Sequence, residues 1–301
     1  MKILLAVSGG VDSMYLANRA PEIFPGARFA VAHCNFSLRG EESDGDERFV
    51  RDWCREHDME CFVRKFDTTA YAAEKHISME MAARDLRYAW FAQLCREGGF
   101  DALATAHNAN DNAETLILNL FRGTGSRGLR GIAVGSVLRP LIDTPRTEIE
   151  SWMKAGGHAW REDRTNSESI VKRNMVRNEV FPVFGRINPS YIRTLNADMK
   201  RFAQVDDIAE DYLQSVREGV VDAQGIKVDA LLGLKHWKYV LYRLTESCGF
   251  SQETFDKLTA LLEKYKERPR GTVTLGGKTF EAPDHTLKAF KGHLIITERV
   301  K

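Results

Sequence analysis

The N-terminal stretch K-I-L-L-A-V-S-G-G-V-D-S-M constrains the fold of this chain more than any other. Residues 3–7 form a continuous apolar run, which is typical of a strand buried on both faces of a parallel sheet. A turn with two glycines follows, and residues 14–17 match the first turns of a helix. This combination predicts an anion site, because backbone N–H groups can approach a phosphate there and the helix dipole favours negative charge.

The turn at residues 8–13 carries an acidic residue and lacks the lysine that a Walker A loop requires. Its candidate binding residues are Ser8, Gly9, Gly10, Val11, Asp12 and Ser13. A carboxylate beside phosphates is repulsive unless a divalent cation lies between them, so the turn suggests Mg²⁺ with an exposed Asp12 as its ligand. The alternative is that Asp12 only caps the helix and the glycines only make a turn.

The segments that follow alternate between strand and helix patterns. Strands are predicted at residues 28–33, 59–66, 101–105 and 137–141, and helices at residues 41–57 and 78–97. This alternation predicts an α/β fold with a doubly wound, five-stranded parallel sheet. His33 and His107 stand at the C-terminal ends of the second and fourth strands, the edge at which such sheets bind ligands.

The second half of the chain predicts a long linker helix and a small C-terminal domain. The predicted helices are 172–184, 188–217, 235–247 and 252–266, and the short strands are 272–275, 278–282, 287–290 and 294–297. The domains are therefore expected at residues 1–218 and 219–301, the second a small α+β module. Residues 122–131 hold four glycines and three arginines, which predicts a mobile loop.

Composition excludes several classes of protein. The chain has 301 residues, 43% of them hydrophobic and 28% charged, which suits two globular domains. No stretch approaches the roughly 20 apolar residues of a membrane span, and the first strand leaves no room for a signal peptide. We therefore expect a cytoplasmic protein that does not bind membranes. Its five cysteines include no C-x-x-C pair, which indicates reduced thiols rather than a zinc or cluster site.

Three ionisable residues follow the fourth strand within H-N-A-N-D-N-A-E-T. Asp111 and Glu114 share a helix face, together with His107 if the helix extends back that far. Burial would leave these groups unpaired, so a functional role is favoured over a core position. The alternative is a helix N-terminus with acidic residues in its first turn.

Arginines on two predicted helices are the candidate anion-binding groups. Arg87 would contact phosphates if it points over the edge of the sheet, since a guanidinium is always charged and can bind oxygens bidentately. Arg84 either pairs with Glu80 four residues earlier or contacts a ligand. Arg173 and Arg177 lie four residues apart, each followed by asparagine. This spacing suits a nucleic-acid backbone, and a solvated helix face is the alternative.

The turn S-G-G-V-D-S resembles the pyrophosphate loop of the PP-loop ATPases, and the motifs together resemble the tRNA(Ile)-lysidine synthetase family. The shared motifs, in order over residues 1–185, are this loop, a strand ending in histidine before an arginine (33–39), A-R-x-x-R-Y (83–88), H…D-x-x-E-T (107–115), R-P-L (139–141), E-D-R-T-N (162–166) and R-N-x-x-R (173–177). Many members of that family carry a further C-terminal domain, so a chain that stops at Lys301 is either a short form or a truncated one.

The resemblance implies an adenine-nucleotide α-hydrolase-like fold and a ligase that forms a carbon–nitrogen bond. In that family ATP adenylates the C2 carbonyl oxygen of the wobble cytidine of isoleucine tRNA, whose anticodon is CAU. Free L-lysine then displaces AMP to give lysidine. ATP and Mg²⁺ are the implied cofactors, and the oligomeric state is left open, a homodimer included.

The same resemblance assigns roles to residues of this chain. The implied catalytic residues are Asp12, Arg87, Asp111, Glu114 and Arg177; the loop, His33 and His107 would bind ATP; and Arg84, Arg122, Arg173 and Asn174 would contact tRNA. Lysine must lose a proton before its amine can attack, and whether Asp111 or Glu114 assists is open.

Two other functions stay open. The first is a PP-loop tRNA enzyme that thiolates a base, although such enzymes usually need paired or specially placed cysteines, and this sequence has no such pair. The second is an inactive tRNA-binding relative, against which the intact Asp12, Asp111 and Glu114 argue. Relatives that form free amides, such as GMP or NAD synthetase, are disfavoured by the R-N-x-x-R segment.

Overall fold

A computed structural model describes residues 1–132, 135–161, 168–267 and 276–299. The chain divides into two compact units, Met1–Gln204 and Val205–Lys301. The division falls inside one long helix, whereas the sequence predicts a boundary after residue 218. The second half of that helix contributes Leu213 and Val220 to the C-terminal core, which explains the earlier division. The E-D-R-T-N segment and the strand predicted at 272–275 lie outside the described residues.

The N-terminal unit is built on a five-stranded parallel sheet. Its strands are β1 (Lys2–Ala6), β2 (Arg28–Asn35), β3 (Glu60–Lys65), β4 (Ala102–Ala104) and β5 (Val137–Leu138). Their order is β3-β2-β1-β4-β5, and every pairing is parallel. This confirms the predicted doubly wound sheet. The chain order reverses between β1 and β4, and ligands of such sheets bind at the carboxyl ends of the strands at that point.

Helices cover both faces of this sheet, as expected for parallel strands. The helices of the chain up to Val220 are α1 (Val11–Ile23), α2 (Glu41–Glu56), α3 (Thr68–Lys75), α4 (Met79–Gly98), α5 (Ala109–Arg122), α6 (Ser126–Leu129), α7 (Arg146–Ala155), α8 (Glu168–Met175), α9 (Phe181–Ile187) and α10 (Tyr191–Val220). A π-helical turn, Val176–Val180, joins α8 to α9.

The sheet explains why the first strand is apolar throughout. Ile3 and Leu5 pack into the core on one face, and Leu4 packs into the core on the other. All three side chains are fully buried. Successive residues of a strand point to opposite faces, so a strand covered on both sides needs an unbroken apolar run.

Two local structures differ from the sequence expectations. Helix α3 was missed because it is short; its N-cap residue Asp67 accepts a hydrogen bond from the backbone N–H of Ala70. Residues 122–131 contain α6, and the Asn119 amide donates to the Gly128 carbonyl at 3.0 Å. The segment therefore holds a short helix that the sequence did not predict, and its mobility stays a prediction.

The C-terminal unit is a small α+β module, as predicted. Its strands are β6 (Val221–Asp222), β7 (Gly225–Lys227), β8 (Gly276–Glu281), β9 (His285–Phe290) and β10 (His293–Glu298), and its helices are α11 (Val228–Gly233), α12 (Trp237–Thr245) and α13 (Gln252–Lys266). The strand order is β6-β7-β10-β9-β8, with antiparallel pairing throughout. Among the described residues, no helix is both long and apolar enough to cross a membrane.

Candidate active site

The glycine turn after β1 forms one wall of the candidate site. Gly9 has φ +94°, a left-handed conformation that glycine adopts without strain. The backbone N–H groups of Ser8 and Gly9 donate to Ser13 Oγ at 3.1 and 3.2 Å, and that hydroxyl donates to the Gly10 carbonyl at 2.9 Å. Ser13 therefore fixes the turn. Its hydroxyl proton is already donated, so in the 3.1 Å contact between Ser8 Oγ and Ser13 Oγ the Ser8 hydroxyl is the donor.

Asp12 lies in the first turn of α1 and is more buried than expected, with 23% of its side chain exposed. Its Oδ1 accepts a hydrogen bond from Asn108 Nδ2 at 2.8 Å, and its Oδ2 lies 3.6 Å from Arg146 Nη1. Burial raises the pKa of the Asp12 carboxyl, and the charge of Arg146 opposes that shift. The expectation of an exposed loop carboxylate is therefore wrong. Asp12 belongs to α1, and Asn108 and Arg146, which are distant from it in the sequence, contact its carboxylate.

Helix α5 begins directly after β4 with a capping box. The Asn108 side chain accepts from the N–H groups of Asn110 and Asp111, and Asp111 Oδ2 accepts from the Asn108 N–H at 3.1 Å. Asp111 is thus a helix-capping residue, and it also lines the cavity described below. Because α5 begins at Ala109, His107 precedes the helix and does not share its face with Asp111.

Glu114 lies deeper than Asp111, with 1% of its side chain exposed. Its Oε1 accepts from Nε of Arg177 at 2.8 Å and lies 2.8 Å from Nη2 of the same guanidinium. Among the described residues, Glu114 Oε2 has no hydrogen-bond partner. Burial raises the pKa of this carboxyl, and the positive charge of Arg177 opposes the shift. The same guanidinium lies 3.7 Å from Asp111 Oδ1, so it bridges the two carboxylates.

A cavity of about 220 Å³ opens at the C-terminal ends of β1, β2 and β4. Its polar side includes the glycine turn, Asp12, Arg87, His107 and Asp111. Its apolar side is formed by Ala32, Cys34, Phe36, Tyr88 and Phe91. The site therefore combines a wall suited to an aromatic ring with a charged floor suited to phosphates.

The two histidines differ in position. His107 lines the cavity, its Nδ1 lies 3.0 Å from Thr105 Oγ1, and burial lowers its pKa. His33 is buried and does not line the cavity itself, but its Nδ1 donates at 2.9 Å to the carbonyl of Val7, which does. Burial also lowers the pKa of His33. Because a carbonyl only accepts, His33 carries its proton on Nδ1 and anchors the end of β1 just before the glycine turn.

The predicted arginines also fall into different places. Arg87 lines the cavity with its guanidinium 5.1 Å from the centre of the Phe36 ring. Arg84 is exposed and lies over the Tyr88 ring at 5.0 Å, and no ion pair joins it to Glu80. Arg122 and Arg173 border a second, smaller cavity. Asn174 is half-buried on α8.

Two residues of the site were missed by sequence reasoning. Asn108 joins the start of α5 to Asp12, a residue 96 positions away. Arg146 brings a positive charge from the start of α7, where its backbone N–H donates to Asn110 Oδ1 at 3.0 Å. The asparagine three residues before Asp111 is a capping signal that could have been read. No local pattern marks Arg146.

Comparison with known proteins places the chain in a family. A model of the PP-loop domain matches residues 1–184. The tRNA(Ile)-lysidine synthase of Parabacteroides distasonis is 36% identical over 302 residues, covering 99% of this chain and 66% of the relative. That of Chlorobaculum tepidum is 42% identical over 215 residues, covering 70% of this chain and 64% of the relative. That of Porphyromonas gingivalis strain W83 is 45% identical, covering 62% of this chain and 42% of the relative.

The chain thus spans between 42% and 66% of the length of these relatives. Among solved structures, it is similar to the U34-tRNA thiolase NcsA from Methanococcus maripaludis, which carries a [4Fe-4S] cluster, with a TM-score of 0.56 and 18% identity over 68% of this chain and 73% of that one. At that identity the likeness shows the fold alone. By its family match and its sheet, the chain belongs to the PP-loop domain family, and the curated relatives compared with it are tRNA(Ile)-lysidine synthases.

Proposed function

We propose that this chain uses ATP to join free L-lysine to C2 of the wobble cytidine of isoleucine tRNA. The observation that carries the proposal is the similarity to tRNA(Ile)-lysidine synthases over 99% of the chain. The cavity at the ends of β1 and β4, with its loop and its acidic residues, supports the same conclusion. Because tRNA and ATP meet in the cytoplasm, the proposed reaction is a cytoplasmic one.

In the first step, the C2 carbonyl oxygen of cytidine attacks the α-phosphorus of ATP, and pyrophosphate leaves. The first backbone bond of α1 is donated by Met14 to the Gly10 carbonyl, so the preceding N–H groups of Val11, Asp12 and Ser13 point out of the helix N-terminus. These groups and the Ser8 hydroxyl would hold the phosphates. Arg87 would neutralise the charge that develops on them, and the apolar wall would take the adenine.

The residues present fit a magnesium ion. Mg²⁺ is commonly held by one or two carboxylates together with substrate phosphates. Asp12 and Asp111 line one cavity, and the charge of Asp111 is close enough to raise the pKa of Asp12. Asp12 would be the protein ligand, and the bound ion would supply charge neutralisation at the phosphates. Asn108 and Arg146 hold the Asp12 carboxylate in place.

In the second step, the side-chain amine of lysine attacks C2, the bond from C2 to the adenylated oxygen breaks, and AMP leaves with that oxygen. The amine must be deprotonated, and its ordinary pKa is about 10.4. Asp111 faces the cavity and would attract the ammonium group. Glu114 lies behind it with one oxygen unpartnered among the described residues, and burial raises its pKa, so it would accept the proton.

The tRNA itself needs a larger surface than this cavity. Arg84, exposed on α4, and Asn174 on α8 are the proposed contacts in the N-terminal unit. The C-terminal unit is proposed to dock the tRNA, because all the phosphate-type motifs lie before it. A fragment that ends near Arg217 should then keep ATP binding and lose most of its tRNA affinity.

The deciding experiment supplies the purified chain with ATP, Mg²⁺, lysine and an isoleucine tRNA transcript with a CAU anticodon. We expect pyrophosphate release only when the tRNA is present, and lysidine in the nuclease digest only when lysine is also present. Asp12→Asn serves as the inactive control. A transcript with a different wobble base should give neither product. Pyrophosphate release without tRNA, or an unmodified cytidine at the end, would contradict the proposal.

Base thiolation is the second candidate, and the solved thiolase shares only the fold. Cys34 is the cysteine that lines the cavity, and burial raises the pKa of its thiol to about 12. A thiol so far from ionising is a poor sulfur nucleophile at neutral pH. The same assay with a sulfide donor in place of lysine tests this alternative, because a thiolated base would carry sulfur in the digest.

A further inference from the structure

Arg146 places a positive charge beside Asp12, the magnesium ligand of the proposed function. Its Nη1 lies 3.6 Å from Asp12 Oδ2, whereas Asp12 Oδ1 accepts a hydrogen bond from Asn108 Nδ2 at 2.8 Å. The contact with Arg146 is an ion pair that is too long for a hydrogen bond. Of the two oxygens of Asp12, Oδ2 is therefore held less tightly, and the group beside it is a cation.

The backbone of Arg146 is fixed independently of its guanidinium. Arg146 is the first residue of α7, and its backbone N–H donates to Asn110 Oδ1 at 3.0 Å. Just before it, the Thr144 carbonyl accepts from the N–H of Ala109 at 3.1 Å. These two bonds join the start of α7 to the start of α5. The guanidinium can therefore change partner while the backbone of Arg146 stays in place.

The same guanidinium has a second acidic partner on its own helix. Arg146 Nε donates to Glu150 Oε1 at 2.9 Å, one turn along α7. The Glu150 side chain is 37% exposed and that of Asp12 is 23% exposed, so the two partners lie at different depths. Asp12 lines the larger cavity, and neither Arg146 nor Glu150 is among the described residues that line it. Arg146 thus links a carboxylate of the cavity to one nearer the solvent.

The position of Arg146 in α7 makes it dependent on these two carboxylates. A cation in the first turn of a helix is disfavoured by the positive end of the helix dipole. The negative charges of Asp12 and Glu150 offset that cost. A divalent cation at Asp12 would repel the guanidinium beside it, because like charges at short distance repel. Glu150 would then be the acidic partner that keeps Arg146 in place.

We propose that Arg146 is an exchangeable counter-ion of Asp12. It neutralises Asp12 when no metal is bound, and it pairs with Glu150 alone when a divalent cation binds the carboxylate. The inference rests on the proposed function for the nucleotide and the metal. Arg146 is a positioning residue that acts on the metal through Asp12, and Glu150 determines how readily it yields. Its charge opposes a bare cation more than one that arrives with the negative charge of a nucleotide, so the site favours the metal–nucleotide complex.

A direct contact between Arg146 and the nucleotide phosphates is the competing role. Glu150 argues against it, since a carboxylate 2.9 Å from Nε of the arginine repels a phosphate. The two roles differ in the direction of their effect. A counter-ion that must be displaced weakens metal binding, whereas a phosphate ligand strengthens nucleotide binding whether or not the metal is present.

The test measures metal binding directly in the full chain, without tRNA or lysine. The probe is Mn²⁺, whose free form is measured by electron paramagnetic resonance, added alone and with α,β-methylene-ATP, which is not cleaved between the α- and β-phosphates. The variants are Arg146→Met, Glu150→Gln and the two combined. Lys154→Met, exposed in the last turn of α7, is the matched control for the loss of one positive charge. Asp12→Asn shows how much of the binding belongs to the site.

For Arg146→Met, we expect the Kd of Mn²⁺ alone to fall roughly 5-fold, and that of Mn²⁺ with the nucleotide analogue to fall about 2-fold. Glu150→Gln should raise both Kd values, because the guanidinium then keeps Asp12 as its acidic partner. In the combined variant, Glu150→Gln should add nothing, since there is no guanidinium left to redirect. Lys154→Met should match the wild type. A merely structural role for Arg146 would not give shifts of opposite sign in the two single variants.

Two results for the metal would overturn the inference: an unchanged Mn²⁺ affinity in Arg146→Met, or site binding that survives Asp12→Asn. Weaker nucleotide binding by Arg146→Met, with and without the metal, would assign the arginine to the phosphates instead. If Arg146→Met fails to fold, Glu150→Gln still decides, because a Mn²⁺ affinity equal to or above that of the wild type contradicts the exchange.

The binding test also separates this inference from the proposed function. If the expected shifts are found but the wild type forms no lysidine, the exchange stands and the proposed function fails. Lysidine formation without these shifts means that the exchange alone is wrong.

Discussion

Arg177 in the N-terminal unit and Arg243 in the C-terminal unit each lie between acidic side chains, and the two networks differ in what surrounds them. In the N-terminal unit, Arg177 bridges Glu114 and Asp111; we call these three residues the site network. Its arginine is 37% exposed, and one oxygen of its buried glutamate has no partner among the described residues. Glu114 Oε2 is therefore able to accept a proton or a hydrogen bond from a ligand.

In the C-terminal unit, the C-terminal network consists of Arg243 with Asp206, Glu210, Tyr239 and Glu246. Nη1 of the arginine donates to Asp206 Oδ1 at 3.0 Å and to the Tyr239 hydroxyl at 2.7 Å, and Nη2 donates to Glu210. Its Nε lies 3.5 Å from Glu246 Oε2, an ion pair rather than a hydrogen bond. Arg243 and Asp206 are almost completely buried.

The difference teaches that a buried arginine–carboxylate group is not by itself a sign of function. The C-terminal network joins the second half of α10 to α12. Its Arg243 Nε also has no hydrogen-bond partner among the described residues, but the ion pair with Glu246 at 3.5 Å balances its charge. The site network borders a cavity and leaves an acceptor unpaired. An unpaired buried acceptor costs free energy, so its presence at the end of a parallel sheet indicates a use beyond folding.

If this comparison is correct, Arg243→Met should lower the free energy of unfolding by about 3–5 kcal/mol, because it leaves a buried carboxylate without its counter-charge. Urea denaturation of the full chain measures the loss. Arg217→Met, at an exposed position near the end of α10, is the control and should change stability by no more than about 0.5 kcal/mol. A loss below about 1 kcal/mol for Arg243→Met would remove the distinction between the networks.

Arg177→Met should cost less stability, about 1–2 kcal/mol, because Glu114 can take up a proton when its partner is lost. Its raised pKa already favours that response. Formation of lysidine should instead fall roughly 100-fold, as for a misplaced proton acceptor. Single-turnover measurements of pyrophosphate release and of lysidine formation separate the two steps. Lys172→Met, exposed on α8, provides the control, and a stability loss equal to that of Arg243→Met would contradict the assignment.

The pH dependence of stability, compared between the wild type and Glu114→Gln, tests the role of the unpaired Glu114 oxygen. The pKa of Glu114 is raised by burial above its ordinary 4.5. A carboxyl with a raised folded pKa contributes stability that is complete below the ordinary pKa and is lost as pH rises through the folded value. The wild type should therefore lose stability relative to Glu114→Gln as the solution is taken from about pH 4 to pH 7. Thermal unfolding across that range checks it, and a gain for the wild type would show that Arg177 outweighs burial.

The smallest change in stability is expected for a pair of opposite charges on the protein surface. Lys257 and Glu253 form an exposed pair one turn apart on α13. Lys257→Ala should alter stability by about 0.5 kcal/mol or less, since solvent screens such pairs. The measurement is the same urea titration, in which a cost above about 1 kcal/mol would mean that burial is not what separates these networks.

Much of the fold follows from local sequence patterns. The apolar run before the glycine turn, the periodic apolar residues of α4 and the short alternating strands after residue 276 each predict an element within a few positions of its observed bounds. Such elements can be predicted because burial of one face places apolar residues at every second position of a strand, or about every 3.6 residues along a helix. Helix α3 lacked a long periodic face, so capping by Asp67 was its only clear signal.

The sequence by itself determined the parallel sheet, the glycine turn at its edge and the residue types of the candidate site. Only the tertiary structure decided that His33 anchors a strand end, that Asp12 is held by Asn108 and Arg146, and that Glu114 lies behind Asp111 against Arg177. These contacts join residues far apart in the chain. Local spacing carries no information about them, because their distances are set by how helices pack on the sheet.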